Sequence, residues 1–191
     1  MKLQLHAQAT NWERFKMRKD SEKFKAIRPK IITRDQRQCQ YCGYIGPDLE
    51  IVNADFNYSN NTSENLLTTC SLCAKVHFLD AYEMSYTGPD KIAYLPELSQ
   101  IQLHHVLRIL FCKTQQAGES SYNAKMLLAQ FQDRVNWLDE KLGTQLSHPA
   151  VCASYLNQPN ANPQLIAKLR WLPGLESYEA LIPEWREALE L

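Results

Sequence analysis

The chain has 191 residues, of which 45% are hydrophobic and 22% are charged, and its formal net charge is zero. This balance is typical of a globular protein and excludes a disordered or fibrous chain. The length predicts one large domain, or one domain with an appendage. No apolar run is long enough to cross a bilayer, and the first residues lack the apolar core of a secretory signal. We therefore expect a cytoplasmic protein without direct membrane insertion.

The first half of the chain carries signals for both strands and helices. The alternation in KLQLH (residues 2–6) predicts a short strand, and a basic segment leads to a short helix that follows Pro29 and feeds a Cys-x-x-Cys pair. LEIVNADF (49–56) has strand character and is followed by a polar, turn-rich connection. After a second Cys-x-x-Cys pair, AKVHFLDAYEM (74–84) predicts a helix and KIAYL (91–95) a further strand.

From Pro96 onward the apolar period becomes helical. Steps of three and four predict one long helix that begins near Pro96 and a second that ends at Gly143. Shorter helices are expected at 149–157 and 163–170, before an acidic amphipathic tail interrupted at Pro183. The chain is thus predicted to be α+β, with an N-terminal module (1–95) and an all-helical extension (96–191). Whether the two pack as one body stays open.

Four of the six cysteines form the two Cys-x-x-Cys pairs, at Cys39, Cys42, Cys70 and Cys73. In a chain without a secretory signal, such pairs indicate metal rather than disulfides. Zinc favours four thiolates in a tetrahedron, and four protein ligands leave no position for water or substrate. The pairs therefore predict one structural zinc ion per chain. Its formal charge of about −2 with four thiolates led us to expect compensation from Arg34, Arg37 and Lys75.

The other two cysteines, Cys112 and Cys152, lie in apolar helical stretches and are expected to be buried small hydrophobes. The charge is unevenly distributed along the chain. Residues 1–40 hold eleven Lys and Arg against four acids, a net charge of +7, and the last sixteen residues hold five Glu against one Arg. A basic segment of this kind can contact nucleic acid, acidic lipid or an acidic partner, or can simply be a solvated surface.

The spacing of the two cysteine pairs is similar to that of zinc-stapled HNH (ββα-metal) nucleases. In that family, Arg-Asp precedes a Cys-x-x-Cys-Gly knuckle, a strand delivers a catalytic His, Asn-Leu follows a loop, and a His directly follows the second pair. The matching positions here are Arg34, Asp35, Cys39, Cys42, Gly43, Asn65, Leu66, Cys70 and Cys73.

The departures from the HNH pattern fall on the chemistry. The strand that should deliver the general base reads Val-Asn53-Ala54-Asp, and Ala74 stands where a His should follow the second pair. The HNH reaction needs an imidazole to deprotonate water and a divalent ion to stabilise the phosphate charge. His77, one turn beyond Cys73, is the one candidate for a displaced ligand. We therefore expect a degenerate scaffold that is not an enzyme.

A closer resemblance is to the IcmJ/DotN family of the Dot/Icm type IVB secretion system. It runs from about Arg28 to Cys112 and includes both cysteine pairs. The stretches that carry it are EIVNADFNYSNNTSENLLTTCSLCAK (50–75) and AYLPELSQIQLHHVLRILFC (93–112). The resemblance implies an HNH-like fold with structural zinc at the four cysteines, and no catalytic residue.

The same resemblance implies the protein's setting. It implies a cytoplasmic component of the type IV coupling complex, held at the inner face of the inner membrane by its partner. That partner is the C-terminal extension of the coupling ATPase, with other coupling-complex subunits, and the assembly recruits effectors. Two alternatives stay open. One is an HNH-like nucleic-acid-binding protein or residual metal-dependent nuclease that uses the basic segment, although nucleic acid is not the expected partner; the other is a zinc-stabilised regulator of a different assembly.

Overall fold

The computed structural model describes residues 2–190, so the outermost residues of the two predicted regions, 1 and 191, lie outside it. The helices are α1 (Asn11–Asp20), α2 (Glu22–Arg34), α3 (Ser71–Lys75), α4 (Gln100–Thr114), α5 (Glu119–Leu142), α6 (Pro149–Leu156), α7 (Pro163–Ile166) and α8 (Ile182–Ala188). The strands are β1 (Leu49–Asn53), β2 (Leu66–Cys70), β3 (Lys91–Tyr94) and β4 (Leu169–Leu172). Within the described residues they form two small antiparallel sheets, β1–β2 and β3–β4. The α+β class is confirmed.

The first sheet and α3 form a strand–strand–helix unit. In the antiparallel register Leu49 lies opposite Cys70, and Asn53 lies opposite Leu66. Helix α2 covers one face of this hairpin with an apolar cluster made of Phe24, Ile27, Ile31, Ile32, Leu49, Ile51 and Leu66. The helix begins at Ser21, whose side chain accepts a hydrogen bond from the Phe24 N–H. Helix α2 continues through Pro29. The short helix expected after Pro29 is therefore the last part of α2, which ends at Arg34.

The predicted strand at KLQLH is wrong. Lys2–His6 has no regular secondary structure, and its described backbone pairing is confined to His6, which donates to the Val76 carbonyl (3.1 Å) and accepts from the Leu79 N–H (3.1 Å). The alternation arises because Leu3 and Leu5 are buried in the core while their neighbours are exposed. Alternate burial produces the period of a strand without a partner strand.

The predicted helix at AKVHFLDAYEM is mostly absent. Helix α3 ends at Lys75, and the chain continues as a turn and a single 3₁₀ turn at Leu79–Ala81. Val76, Phe78 and Leu79 are all buried. Three side chains this close in the sequence cannot all lie on the one buried face of a surface helix. The chain buries all three because it leaves the helix after Lys75.

The C-terminal extension was predicted to be all-helical, and that prediction is wrong because it contains strand β4. The helix expected at 163–170 ends at Ile166, and β4 follows it and pairs with β3, Ile92 opposite Trp171. Side-chain bonds replace a third strand at the outer edge of β4: the Trp171 N–H donates to Gln100 Oε1 (2.9 Å), and Gln100 Nε2 donates to the Trp171 carbonyl (2.8 Å). Fully buried Trp171 therefore sits in a strand that the helical period does not reveal.

Both predicted long helices are present, although α4 begins at Gln100, four residues after the predicted start near Pro96. Helix α4 begins with a capping box, in which Ser99 accepts from the Gln102 N–H and the Gln102 side chain accepts from the Ser99 N–H. Helix α5 ends at Leu142, and its C-cap Gly143 has a φ of 59°, in the left-handed region that favours glycine. Pro183 stands in the first turn of α8, so it begins a helix where an interruption was expected.

The main apolar core draws on both halves of the chain. It joins residues of the cysteine pairs and β1 to residues of α4, α5, α6, β4 and α8, including the fully buried Trp171 and Trp185. The cysteine pairs are therefore held between the β1–β2 hairpin on one side and α4 on the other.

Among the described residues, none of the helices combines the length and apolar character needed to cross a membrane.

Candidate metal centre

The four predicted cysteines come together in the fold. Their Sγ atoms all lie within 4.8 Å of one another, and all four side chains are buried. The Sγ atoms of Cys42 and Cys70 are 3.7 Å apart. A tetrahedron with metal–sulfur bonds of about 2.3 Å has sulfur–sulfur edges of about 3.8 Å. The arrangement thus has the size and donor set of a four-thiolate site for a soft or borderline metal ion.

The first pair lies on a tight knuckle between α2 and β1. The Gly43 N–H donates to the Cys39 carbonyl (2.9 Å), and the Cys39 N–H donates to the Tyr44 carbonyl (2.8 Å). Gly43 has a φ of 75°, which a residue with a Cβ rarely adopts, so glycine is required for this turn. The Gln40 N–H donates to the Thr68 carbonyl (2.8 Å), which ties the knuckle to β2.

The second pair spans the junction of β2 and α3. Cys70 is both the last residue of β2 and the N-cap position of α3, and Cys73 lies one turn later. Residues three apart in a helix lie on the same face, so both thiols point toward the first knuckle. Asp48 stabilises the junction because one of its carboxylate oxygens accepts from both the N–H and the hydroxyl of Ser71.

Arg108 of α4 contacts the sulfur cluster directly, and the sequence analysis missed it. Its Nη2 is 2.7 Å from Cys70 Sγ, and its Nη1 is 3.7 Å from Cys42 Sγ. Burial lowers the pKa of Arg108, but the charges of Cys70 and Cys42 outweigh it, so the pKa lies above its ordinary value. The guanidinium also lies over the rings of Tyr44 (4.4 Å) and Trp185 (5.7 Å). Arg108 thus supplies a buried positive charge to the site and joins it to α8.

His104 approaches the cluster from the same helix face, four residues before Arg108. Its Nδ1 is 3.4 Å from Cys73 Sγ, and its Nε2 is 2.9 Å from Gln100 Nε2. The two bonds of Gln100 to Trp171 fix its amide so that Nε2 is the donor. His104 Nε2 must then accept, which leaves the proton on Nδ1 to donate to the Cys73 sulfur. Burial, with the Arg108 charge, lowers the pKa of His104 to about 3, so the ring is neutral.

The cations expected beside the cluster are elsewhere, so that expectation was wrong. Arg34 pairs with Asp35, with Nε 2.8 Å from Oδ1. Arg37 is exposed after the end of α2. The Lys75 ammonium lies over the rings of Trp12 (5.3 Å) and Tyr82 (4.7 Å). Sequence proximity to a cysteine selected these three, whereas the charge that reaches the sulfurs comes from a helix more than thirty residues away.

The positions that carry chemistry in HNH nucleases have structural contacts here. Asn53 is fully buried, and its Nδ2 donates to the Asn57 (3.0 Å) and Asn60 (2.7 Å) carbonyls while its Oδ1 accepts from Arg18. These bonds hold the polar loop between β1 and β2. Ala74 is buried on α3.

His77 has no free ring nitrogen. Its Nδ1 is 3.1 Å from the Tyr58 hydroxyl, and its Nε2 is 3.0 Å from the Tyr41 hydroxyl. Burial lowers its pKa to about 3, so it is neutral at ordinary pH. The structure does not bring His77 among the four thiols. Cys112 and Cys152 are buried outside the cluster, as expected of small hydrophobes.

No family model matches the chain. A curated protein, the type 4 apparatus protein DotN of Legionella pneumophila, is 33% identical to it over 190 residues, which cover 96% of this chain and 88% of that protein. The similarity therefore includes both the cysteine pairs and the helical region. At this identity over nearly its whole length, the chain belongs to the DotN (IcmJ/DotN) family of Dot/Icm type IV secretion proteins.

Proposed function

We propose that this protein is a non-catalytic, zinc-stabilised adaptor of a type IVB secretion coupling complex. It binds the C-terminal extension of the coupling ATPase, contacts other subunits of the complex and so supports effector recruitment at the inner face of the inner membrane. The observation that carries the proposal is the similarity to a type 4 apparatus protein across 96% of the chain. A shared role is the simplest explanation of similarity that extends through every part of the fold.

Zinc is the metal that suits the four thiols best. Cys39, Cys42, Cys70 and Cys73 would hold it. The 3.7 Å between the Sγ atoms of Cys42 and Cys70 matches the edge of a zinc–thiolate tetrahedron. When bound, the ion supplies a cross-link among the knuckle, β2 and α3. Structural zinc contributes about 10–16 kcal/mol in small zinc peptides, enough to decide whether such a module folds. Arg108 offsets part of the negative charge of the thiolates.

The proposed absence of catalysis is supported by the contacts of the side chains that could take part in it. Four thiolates complete a tetrahedral shell, which leaves no position for an activated water. Asn53 is committed to loop carbonyls and to Arg18, and both nitrogens of His77 are committed to tyrosine hydroxyls. A neutral imidazole enclosed in this way cannot reach the proton of an attacking water.

We consider two exposed apolar surfaces as sites for the ATPase extension. The fully buried Trp171 and Trp185 belong to the core, so much of the aromatic excess in the sequence is not surface. Beside the first knuckle, Ile45, Ile109 and Leu189 are exposed and line a cleft of about 290 Å³ between the knuckle, α4 and the end of α8. A second apolar strip on α5 comprises Tyr122, Met126 and Leu127. We propose the knuckle cleft as the site of the ATPase extension because the proposed zinc ion would hold its knuckle side in place.

Calorimetry with the purified ATPase extension tests this proposal. Apolar docking predicts a negative heat-capacity change and binding that survives high salt. Ile45→Glu should abolish binding, whereas Met84→Glu, a matched change at a side chain exposed to a similar extent (63% and 68%), should not. Absence of binding refutes the adaptor proposal. Salt-sensitive binding to DNA in its place favours the HNH-like nucleic-acid-binding alternative.

A further inference from the structure

A pocket of about 160 Å³ opens at the junction of α1 and α2 and shares no lining residue with the knuckle cleft. Arg18 and Lys23 provide its cationic side, and Phe24, Ile27 and Leu66 provide apolar walls. We propose that this pocket is a docking site for a protein segment that carries an acidic side chain next to an apolar one. The inference goes beyond the proposed function because it defines a ligand chemistry whichever protein supplies it.

The first argument is the buried charge of Arg18. The residue is only 8% exposed, yet no carboxylate of the described chain pairs with it. Its Nη atoms donate to neutral oxygens, including those of Asn53 and the Ile51 carbonyl, and its Nε has no acceptor among the described residues. Burial lowers the pKa of Arg18 to about 10, so the guanidinium stays charged at neutral pH. The rings of Phe15, Phe24 and Tyr58 and the charge of Glu50, which lies beyond ion-pair distance, offset part of the cost of burying this cation. An anion placed beside the guanidinium would lower that cost further.

The second argument is the charge around the opening. Two acids beside this site are paired with other lysines: Glu22, between the pocket residues Ser21 and Lys23, pairs with Lys25 (2.8 Å), and Glu50 pairs with Lys19 (2.5 Å). Lys23 is exposed at the pocket, and no carboxylate of residues 2–190 lies within ion-pair distance of its ammonium. The pocket therefore presents one buried and one exposed cation to an incoming anion.

The third argument, which decides the class of ligand, is the size and lining of the pocket. Phe24 and Leu66 are buried and Ile27 is half-buried, so the walls favour an apolar group. A cavity of about 150 Å³ accommodates a benzene ring, so this one accepts a single side chain of the size of Leu or Phe. It is too small for a lipid acyl chain, and the apolar walls do not suit a phosphodiester backbone. A peptide with a carboxylate beside Leu or Phe satisfies both the walls and the cations.

The experiment uses the full-length protein and a short synthetic peptide in which Glu and Leu alternate, with binding followed by fluorescence anisotropy. Two control peptides replace Glu by Gln or Leu by Ser. Lys23→Glu should weaken binding of the Glu-Leu peptide by about tenfold or more. Lys30→Glu, the same charge change at an exposed lysine of α2 that does not line the pocket, should have less than about a third of that effect.

The proposal is overturned if the Glu-Leu peptide does not bind, if either control peptide binds equally well, or if Lys23→Glu and Lys30→Glu have equal effects. It is also overturned if Lys23→Glu weakens binding of single-stranded DNA or phosphatidylserine vesicles but not of the Glu-Leu peptide. Substitution of the buried Arg18 would disturb folding. Its contribution to binding is therefore measured by NMR in the wild-type protein. The NMR signals of the Arg18 guanidinium should shift on addition of the Glu-Leu peptide and stay in place with the Gln-Leu peptide. Unchanged Arg18 signals on saturation with the Glu-Leu peptide would also overturn the proposal.

Discussion

Replacement of His77 by Gln should make the protein less sensitive to acid. His77 is fully buried, and its pKa falls from 6.5 in the unfolded chain to about 3 in the folded one. The unfolded state therefore binds a proton between these values when the folded state does not, and stability is present above pH 6.5 and lost as the pH falls toward 3. At pH 5 the loss from this one residue is about 2 kcal/mol relative to pH 8. That is a large part of the total stability of an ordinary domain.

The assay is urea unfolding at pH 8 and pH 5 for the wild type and His77→Gln. Gln keeps a donor and an acceptor for the hydroxyls of Tyr41 and Tyr58, although a poorer fit should cost about 1–3 kcal/mol at both pH values. The difference between the two pH values should shrink by about 2 kcal/mol in the variant. His105→Gln, the same change at an exposed residue of α4, should leave that difference as it is in the wild type. An unchanged pH dependence in His77→Gln would refute the assignment of a buried, neutral imidazole.

Three further predictions concern the metal centre and catalysis. Cys39→Ser and Cys70→Ser should each abolish soluble folding, measured as soluble yield, because each removes a ligand; a soluble, cooperatively unfolding variant contradicts this. Arg108→Met should cost about 3–5 kcal/mol in urea unfolding and speed zinc loss to a chelator, with Arg108→Lys in between, and equal chelation rates would exclude charge compensation by Arg108. The purified protein should not cleave plasmid or single-stranded DNA with magnesium, manganese or nickel; metal-dependent cleavage that disappears in His77→Ala would restore the nuclease alternative.

The parts of the fold that the sequence predicted are those with a local signal. The Cys-x-x-Cys pairs identify all four thiols of the cluster, because the knuckle spacing itself imposes the geometry. Helices α4 and α5 follow from apolar steps of three and four together with Gly143 at the end of α5. Strand β1 follows from a short apolar run between turns. In each case the information lies within a few residues of the element it determines.

The parts that the sequence did not predict depend on contacts between distant segments. Strand β4 forms because Trp171 meets Ile92 in β3 and Gln100 at its outer edge, and neither partner is visible from the period of its own segment. The roles of His104 and Arg108 likewise appear only when α4 is packed against the cysteine cluster. Their one local signal is that two polar residues, four apart, interrupt the apolar face of a helix. That signal indicates a buried polar contact but not its partner.

The proposed four-thiolate zinc centre is the basis of both the stability and the non-catalytic role that we propose for this protein. X-ray absorption at the zinc edge of freshly purified, reduced protein, with a metal count on the same sample, tests it most directly. We predict one zinc per chain surrounded by four sulfurs at about 2.3 Å, with no nitrogen or oxygen ligand. Protein that is folded without zinc, or a zinc shell in which a nitrogen or water replaces one of the sulfurs, would contradict the closed structural site.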